Sequence, residues 1–282
     1  MPIEVLRAGA LTTVQDLGRA GFAQLGIPRS GAADRNSLRL ANRLVGNDEG
    51  AAALECTLIG PSLLFHDAAV IAVTGATVVA KLNGEEITMN LAVKIDGGSV
   101  LDLATASAGL RSYIAVRGGI DTAVVMGSRS SDLLSGLGPP PVSGGELLKT
   151  GPPLGSVPAI GAAPVEPPRS EPLLHLIPGP RADWFSADAL ALLCSTAWQV
   201  SSESNRSGAR LSGPSLERVR DASLLSEGVV EGSIQVPSSG QPIILLADHP
   251  TTGGYPVIAV IVSDEIPAAA QLRPGQRLRF GP

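Results

Sequence analysis

Cysteine is nearly missing. Cys56 and Cys194 are the two in the chain, far apart and in no CxxC pair, which argues against a disulfide scaffold or a thiolate zinc site. Histidine is as scarce, three residues with none at His-x3-His spacing, so no metal ligands are assigned. Aromatic residues make up 3% of the chain, too few for base-stacking platforms. There is no basic excess either: the formal charge is −5 and the lysines are Lys81, Lys94 and Lys149. That disfavours nucleic acid and anionic membrane as partners. No run of 18 apolar residues exists, and the N-terminus lacks a basic-then-apolar signal. A cytoplasmic protein without a membrane span is therefore expected. A Gly-x-Ser-x-Gly elbow, a Gly-Lys-Ser/Thr phosphate loop and a Met-Lys-Met biotin-attachment sequence are all lacking, so the chain is neither an α/β-hydrolase nor an evident carrier of nucleotide or biotin.

What is present suits a folded, strand-rich protein. Apolar residues are 44% of 282, enough for one large or two modest cores. With 33 glycines and 23 prolines, short strands are favoured over long helices. Two helices read well. One follows a loop with Ser30 as its expected cap and runs from Asn36 to Val45, with Leu38, Ala41 and Val45 as its apolar stripe and Gly46 at its end. Arg35, Arg39 and Asn42 fall on another face, read as solvated or interfacial. The second covers Ser186 to Cys194, with Asp188 in its first turn.

The rest reads as strands: Val70–Thr74, Thr77–Leu82, a hairpin turn at Asn83-Gly84, Glu85–Thr88, Val100–Leu103 and Leu110–Val116 in the first half. Trp198–Ser202, Ser233–Val236, Ile243–Ala247, Val257–Val262 and Arg277–Phe280 follow in the second. Such spacing suggests β-barrels, closed or nearly so. A Pro/Gly-rich stretch over 136–170 reads as a linker or extended crossover. It divides the chain into domains at 1–165 and 171–282. The pattern Leu58-x-Gly-Pro-Ser-Leu recurs from Leu211, an echo between the halves.

Three polar, glycine-rich segments stand out from barrel wall. In Thr13–Gly21, Asp16 and Arg19 sit in a turn that glycines allow to pack closely. Asp34, four residues before Leu38, shares the helix's apolar stripe. It either faces a site or a buried partner, or is an acid at the helix N-terminus paired with an arginine. In Ser204–Leu211, Arg206 and Arg210 flank a glycine; arginine's rigid fork suits carboxylate or phosphate, the other reading being an exposed hairpin with two solvated arginines. In Ala247–Pro256, an apolar strand delivers Asp248 into a loop with Thr251, Thr252, Gly253, Gly254 and Tyr255. Its N–H groups at Thr252–Gly254 are read as an anion nest, or the loop as a tight hairpin needing glycine torsions. Gly127-Ser128-Arg129-Ser130-Ser131 is given no catalytic reading, because the glycines of a serine-rich amidase loop are missing.

These segments, with Ser226–Gly228, Gly232–Pro237 and Gln271–Gly275, resemble one family in order along nearly the whole chain. It is the family of biotin-dependent carboxyltransferases and 5-oxoprolinase C-type subunits, also called allophanate hydrolase subunit 2 or KipA-like and related to urea amidolyase. The resemblance implies a mainly β fold, two cyclophilin-like β-barrel domains with a few short helices. It implies a subunit of a heteromeric, ATP-dependent 5-oxoprolinase opening 5-oxo-L-proline to L-glutamate. A KipI-like chain (the B-type 5-oxoprolinase subunit) and the A-type 5-oxoprolinase subunit are the expected partners, and the chain alone is expected to be inactive. In this reading Asp248, Asp34 and Tyr255 are the catalytic candidates. Asn205, Arg206, Arg210, Thr252, Gly253, Gly254, Asp16 and Arg19 bind the small-molecule substrate. The alternatives are a carboxyltransferase subunit taking a carboxyl from biotin borne on another chain, and a KipA-like antagonist of a kinase inhibitor. The sequence departs from the family pattern at Ala33, Ser207, Ala209 and Pro250, where methionine, methionine, tyrosine and glutamine are usual. The first three are expected to widen the ligand cleft.

Overall fold

The computed structural model describes residues 1–153, 155–156, 158, 162–220 and 224–282. The chain is mainly β, with short helices between strands, and separates into two compact units. One comprises Met1–Arg19 with Ser30–Pro168, the other Ala20–Arg29 with Arg169–Pro282. The segment 20–29, which the linear reading leaves in the first half, thus groups with the second.

The first unit holds two antiparallel sheets. The order in the six-stranded one is Leu147–Lys149, Pro2–Arg7, Ser62–Phe65, Ser99–Leu103, Ala80–Leu82, Glu85–Ile87. In the five-stranded one it is Leu11–Gln15, Ala53–Thr57, Ala108–Val116, Ala69–Thr77, Val93–Ile95. Strand alternation explains the layering. Ile71, Val73, Ile114 and Val116 join Ile3, Val5, Phe65 and Leu101 in one core cluster. Their neighbours Ala72, Tyr113 and Ala115 pack instead with Leu38, Ala41 and Val45 of α1, Arg35–Val45. Leu38 is fully buried there, worth about 1.5–3 kcal/mol. The expected turn at Asn83-Gly84 is present, with φ of 52° and 89° and Leu82 opposite Glu85.

Several expectations are corrected. The cap of α1 is Asp34, not Ser30: the Asp34 carboxylate accepts from Ser37 N at 3.0 Å and Ser37 Oγ at 2.7 Å, the bond an N-cap makes to N3. Ser30 stands earlier, at φ 52°. Asn42 is buried, not solvated, and donates to Ala51 O at 2.7 Å. Part of the presumed linker is folded. Leu147–Lys149 pairs with Pro2–Glu4, and Val142 N donates to Thr12 O, because the residues between the prolines keep their N–H groups.

The second unit closes into a seven-stranded barrel. Its order is Leu173–Pro178, Val257–Ile261, Ser233–Gln235, Ile243–Leu245, Gly208–Ser212, Trp198–Val200, Arg277–Gly281, and a parallel pairing of the last with the first completes the ring. A barrel was expected in each half. Here it is a closed ring, whereas hydrogen bonding divides the first unit's strands into the two sheets above. Trp198, Ile234, Ile244, Ile258 and Leu278 fill the ring. Helix α2, Ala187–Ser195, begins after Ser186, whose side chain makes no cap bond. Trp198 Nε1 donates to Leu193 O at 2.9 Å near its end. A third helix, α3 at Ile266–Ala270, escapes the sequence reading because five residues are too few to show a period.

The two Leu-x-Gly-Pro-Ser-Leu copies sit differently: Ser62 opens a strand, whereas Ser212 closes one before Pro214. Their glycines share a reason. A Cβ on Gly60 would lie 2.3 Å from Leu103 Cβ, and one on Gly213 2.6 Å from the Trp198 ring. Among the described residues no helix is long and apolar enough to cross a membrane.

Candidate functional site

In the first unit, Asp16 leaves the end of the Leu11–Gln15 strand and its carboxylate is filled. It accepts from Gly18 N at 2.8 Å, Ser128 Oγ at 2.6 Å and Arg129 N at 2.6 Å, and from Ser130 Oγ. Arg19 is buried, donates from Nη2 to Ser130 O, and stands 3.9 Å from the Asp132 carboxylate. Both residues therefore grip the 128–132 loop. The serines given no chemistry in the sequence are the partners of the two residues that were. The two parts of the first motif do meet: Ala32 N donates to Asp16 O at 2.9 Å. A Cβ on Gly31, at φ +88°, would lie 2.6 Å from Gly18 N.

Asp34 belongs to a buried polar network that sequence reasoning missed. Asp34 N donates to Tyr113 Oη at 2.8 Å, and Tyr113 Oη donates to Glu55 Oε2 at 2.7 Å. Ala33 N donates to the same Glu55 oxygen at 2.9 Å, and Arg111 Nε lies 3.7 Å from Glu55 Oε1. Burial, then the charges of Glu55 and Asp34, push the Tyr113 phenol well above its ordinary range, so it stays a donor. The signal was a single acid, Glu55, inside the apolar run Ala51–Leu58, since a buried carboxylate requires partners. Ala33 itself is buried beneath this network.

In the second unit, Arg206 and Asp248 come together, both buried. Arg206 Nε reaches Asp248 Oδ2 at 2.8 Å and Nη2 reaches Oδ1 at 2.9 Å. Asp248 N donates to Arg206 O at 3.0 Å. The fork expected to hold a ligand carboxylate is thus engaged inside the protein. Arg210 is not beside it. Spacing of four aligns side chains on a helix, but Arg206 precedes the Gly208–Ser212 strand and Arg210 faces solvent within it. Ala209 faces the barrel core, so its small size affects packing there rather than the width of a cleft. Asn205 Oδ1 accepts from Ser207 N at 2.8 Å and Gly208 N at 3.2 Å, which closes the turn.

The loop after Asp248 forms a flap. Thr252–Gly253 pairs with Glu227–Gly228, and Arg181 makes a two-pronged bond to Glu227. Neither Gly253 nor Gly254 has positive φ, so the expected nest, which alternates right- and left-handed torsions, is not formed. Gly253 packs on the Gln235 amide: a Cβ there would lie 2.4 Å from Gln235 Nε2 and would displace it. Gln235 is buried and donates to Tyr255 O at 3.2 Å. Thr252, Gly254 and Tyr255 are exposed, so the flap presents a phenol, a hydroxyl and bare backbone outward. His249 is tied to Pro250 O at 2.7 Å.

A paired-sheet unit, a closed barrel and internally clamped signature residues define a carboxyltransferase-type module. The carboxyltransferase domain, subdomain A and B, matches residues 25–282, and the chain belongs to that family. Relatives fall in two groups. The C-type 5-oxoprolinase subunit of Escherichia coli is 42% identical over 286 residues, covering 99% of this chain and 90% of that protein. That of Haemophilus influenzae is 34% identical over 281 residues, with the same shares covered. Urea amidolyase of Saccharomyces cerevisiae is 34% identical over 308 residues, but the chain spans 16% of it. Among solved structures, K. lactis urea amidolyase superposes with a TM-score of 0.93 at 34% identity, over 100% of this chain and 18% of that one.

Proposed function

We propose that the chain is the C-type subunit of a heteromeric 5-oxoprolinase, opening 5-oxo-L-proline to L-glutamate at the expense of ATP. The observation that carries this is the end-to-end identity of 42% with the C-type 5-oxoprolinase subunit of E. coli. The urea amidolyases, by contrast, match over a small fraction of their length. A lactam carbonyl is a poor electrophile. Transfer of a phosphoryl group from ATP to its oxygen activates the carbon; water adds there and the ring C–N bond breaks, and a second water hydrolyses the resulting acyl phosphate to the carboxylate and free phosphate. Of this chain's candidate phosphate-binding groups, the Thr252–Gly254 loop lacks nest torsions and the Arg206 fork is held by Asp248. ATP is used by the complex in this reading, the partners being a KipI-like B-type subunit and an A-type one.

Within this chain, Tyr255 and Thr252 are the side chains offered to substrate. Arg206, Asp248 and Asn205 position the loops that carry them, and Asp16, Arg19 and Asp34 hold the first unit's loops. The test is reconstitution with the A-type and B-type partners, following ADP and glutamate with and without 5-oxoproline. Glutamate formation is expected from the mixture and not from this chain alone. Robust turnover by the pure chain, or 5-oxoproline-independent behaviour of the full mixture, overturns it. The superposition on urea amidolyase favours a second reading, carboxyl transfer from biotin on another chain to a urea-like nitrogen. Carboxylation of urea by a mixture with a biotinylated carrier and its carboxylase is what that reading requires.

A further inference from the structure

The six-stranded sheet turns Val5, Leu63, Leu101 and Leu103 into the core, so the residues alternating with them stand on its other face. An antiparallel sheet with one solvated face carries polar residues there. This one carries an apolar row. Leu147 opposes Glu4, Glu4 opposes Leu64, and Leu64 opposes Val100. Leu147 is 59% exposed, and Leu6, two residues along from Glu4, 48%; Leu64 and Val100 are half-buried. Glu4 is tied to His66, 3.2 Å away. The next row runs Arg7, Ser62, Asp102, Lys81, Glu86 across five strands, and its charges alternate in sign. Arg7 donates from Nη1 to Gly60 O at 2.8 Å, yet its side chain and that of Asp102 stay 49% and 46% exposed. Exposed leucines beside a charged row are the anatomy of a protein interface.

We propose that this face is the contact between two copies of the chain, related by a two-fold axis along the Ser62–Phe65 strand. The charge order argues for a second copy rather than a different partner. Arg7 and Asp102 each oppose Ser62, from the strands on either side of it, about 4.8 Å away in both directions. Rotation about the middle strand therefore sets Arg7 of each copy against Asp102 of the other, and Leu64 against its own counterpart. A closed two-fold contact requires such self-complementarity, and a foreign surface does not. Aligned sheet faces pack in this manner, about 30° apart in strand direction. Thr252 and Tyr255, the side chains offered to substrate, belong to the other unit, so the two assignments stand or fall separately.

The test is sedimentation equilibrium of the full chain, with native mass spectrometry to identify the copies in each dimer. The parent is expected to dimerise. Leu64→Lys is expected to leave a monomer, and Leu147→Lys, at an exposed position, to weaken the dimer. Arg7→Glu and Asp102→Lys should each weaken it about tenfold or more, because each sets like charges face to face. Mixed in equal amounts, these two variants should form a dimer of one copy of each, since both contacts are then complementary. An ion pair acting only within one chain gives no such rescue. Circular dichroism and melting temperature establish that each variant is folded. A monomeric parent, parent-like dimers of either folded leucine variant or of either folded charge variant, or a mixture of folded charge variants that yields no mixed dimer overturns the proposal.

Discussion

Arg206 and Asp248 have 4% and 0% of their surface exposed and satisfy each other through two bonds. Removing one partner takes two charge-assisted bonds from a buried charge. Arg206→Ala is therefore expected to cost about 3–5 kcal/mol, read as a lower denaturant midpoint in the isolated chain. If stability is unchanged, the pair is not the clamp described. Cys56 makes the opposite kind of case. Burial pushes its thiol up to about 12, so the reactive thiolate is scarce at neutral pH. Thiol titration at pH 8 should modify Cys56 only after denaturation, with Cys194, partly exposed, reacting first.

At the level of elements, α1 begins where Asp34 caps it. Asp34→Ala should cost about 0.5–2 kcal/mol, and Asp34→Ser substantially less, because serine also caps. Equal losses from both would mean that capping is not what the Asp34 side chain contributes. Helix α1 was legible because its apolar stripe has the right period and Gly46 ends it with φ 73°. Its cap was misplaced by four residues because Ser30 and Asp34 are both capable, and the choice depends on which lies three residues before a free helical N–H. The flap turns on Gly253. Alanine there would meet Gln235 Nε2 at 2.4 Å, so Gly253→Ala should displace the Gln235 amide from Tyr255 O and lower activity of the reconstituted complex more than it lowers the melting temperature.

For the whole molecule, Cys56 and Tyr113 link stability to alkaline pH. Each keeps its proton in the folded chain at pH values where the unfolded chain has released it. The unfolded state then binds fewer protons, so stability falls as pH rises. The loss begins near the ordinary thiol value of 9.0 and runs towards about 12 for Cys56, and for Tyr113 it begins above 10.0. Denaturation midpoints measured from pH 8 to 11 should therefore decline. Cys56→Ala should flatten the fall that begins near pH 9, and Tyr113→Phe the fall above pH 10. A midpoint independent of pH over this range would contradict both burials.

The sequence by itself determined the strand-rich class, the Asn83-Gly84 hairpin, the two longer helices and the family, because these rest on local periodicity, turn chemistry and motifs read in order. It also marked the right segments as special. Only the tertiary structure decided what their charged residues do. Asp16 against Ser128 and Ser130, and Arg206 on Asp248, pair residues 42–114 positions apart. A carboxylate on the chain reads the same whether it awaits a ligand or a distant partner, and folding alone supplies the partner.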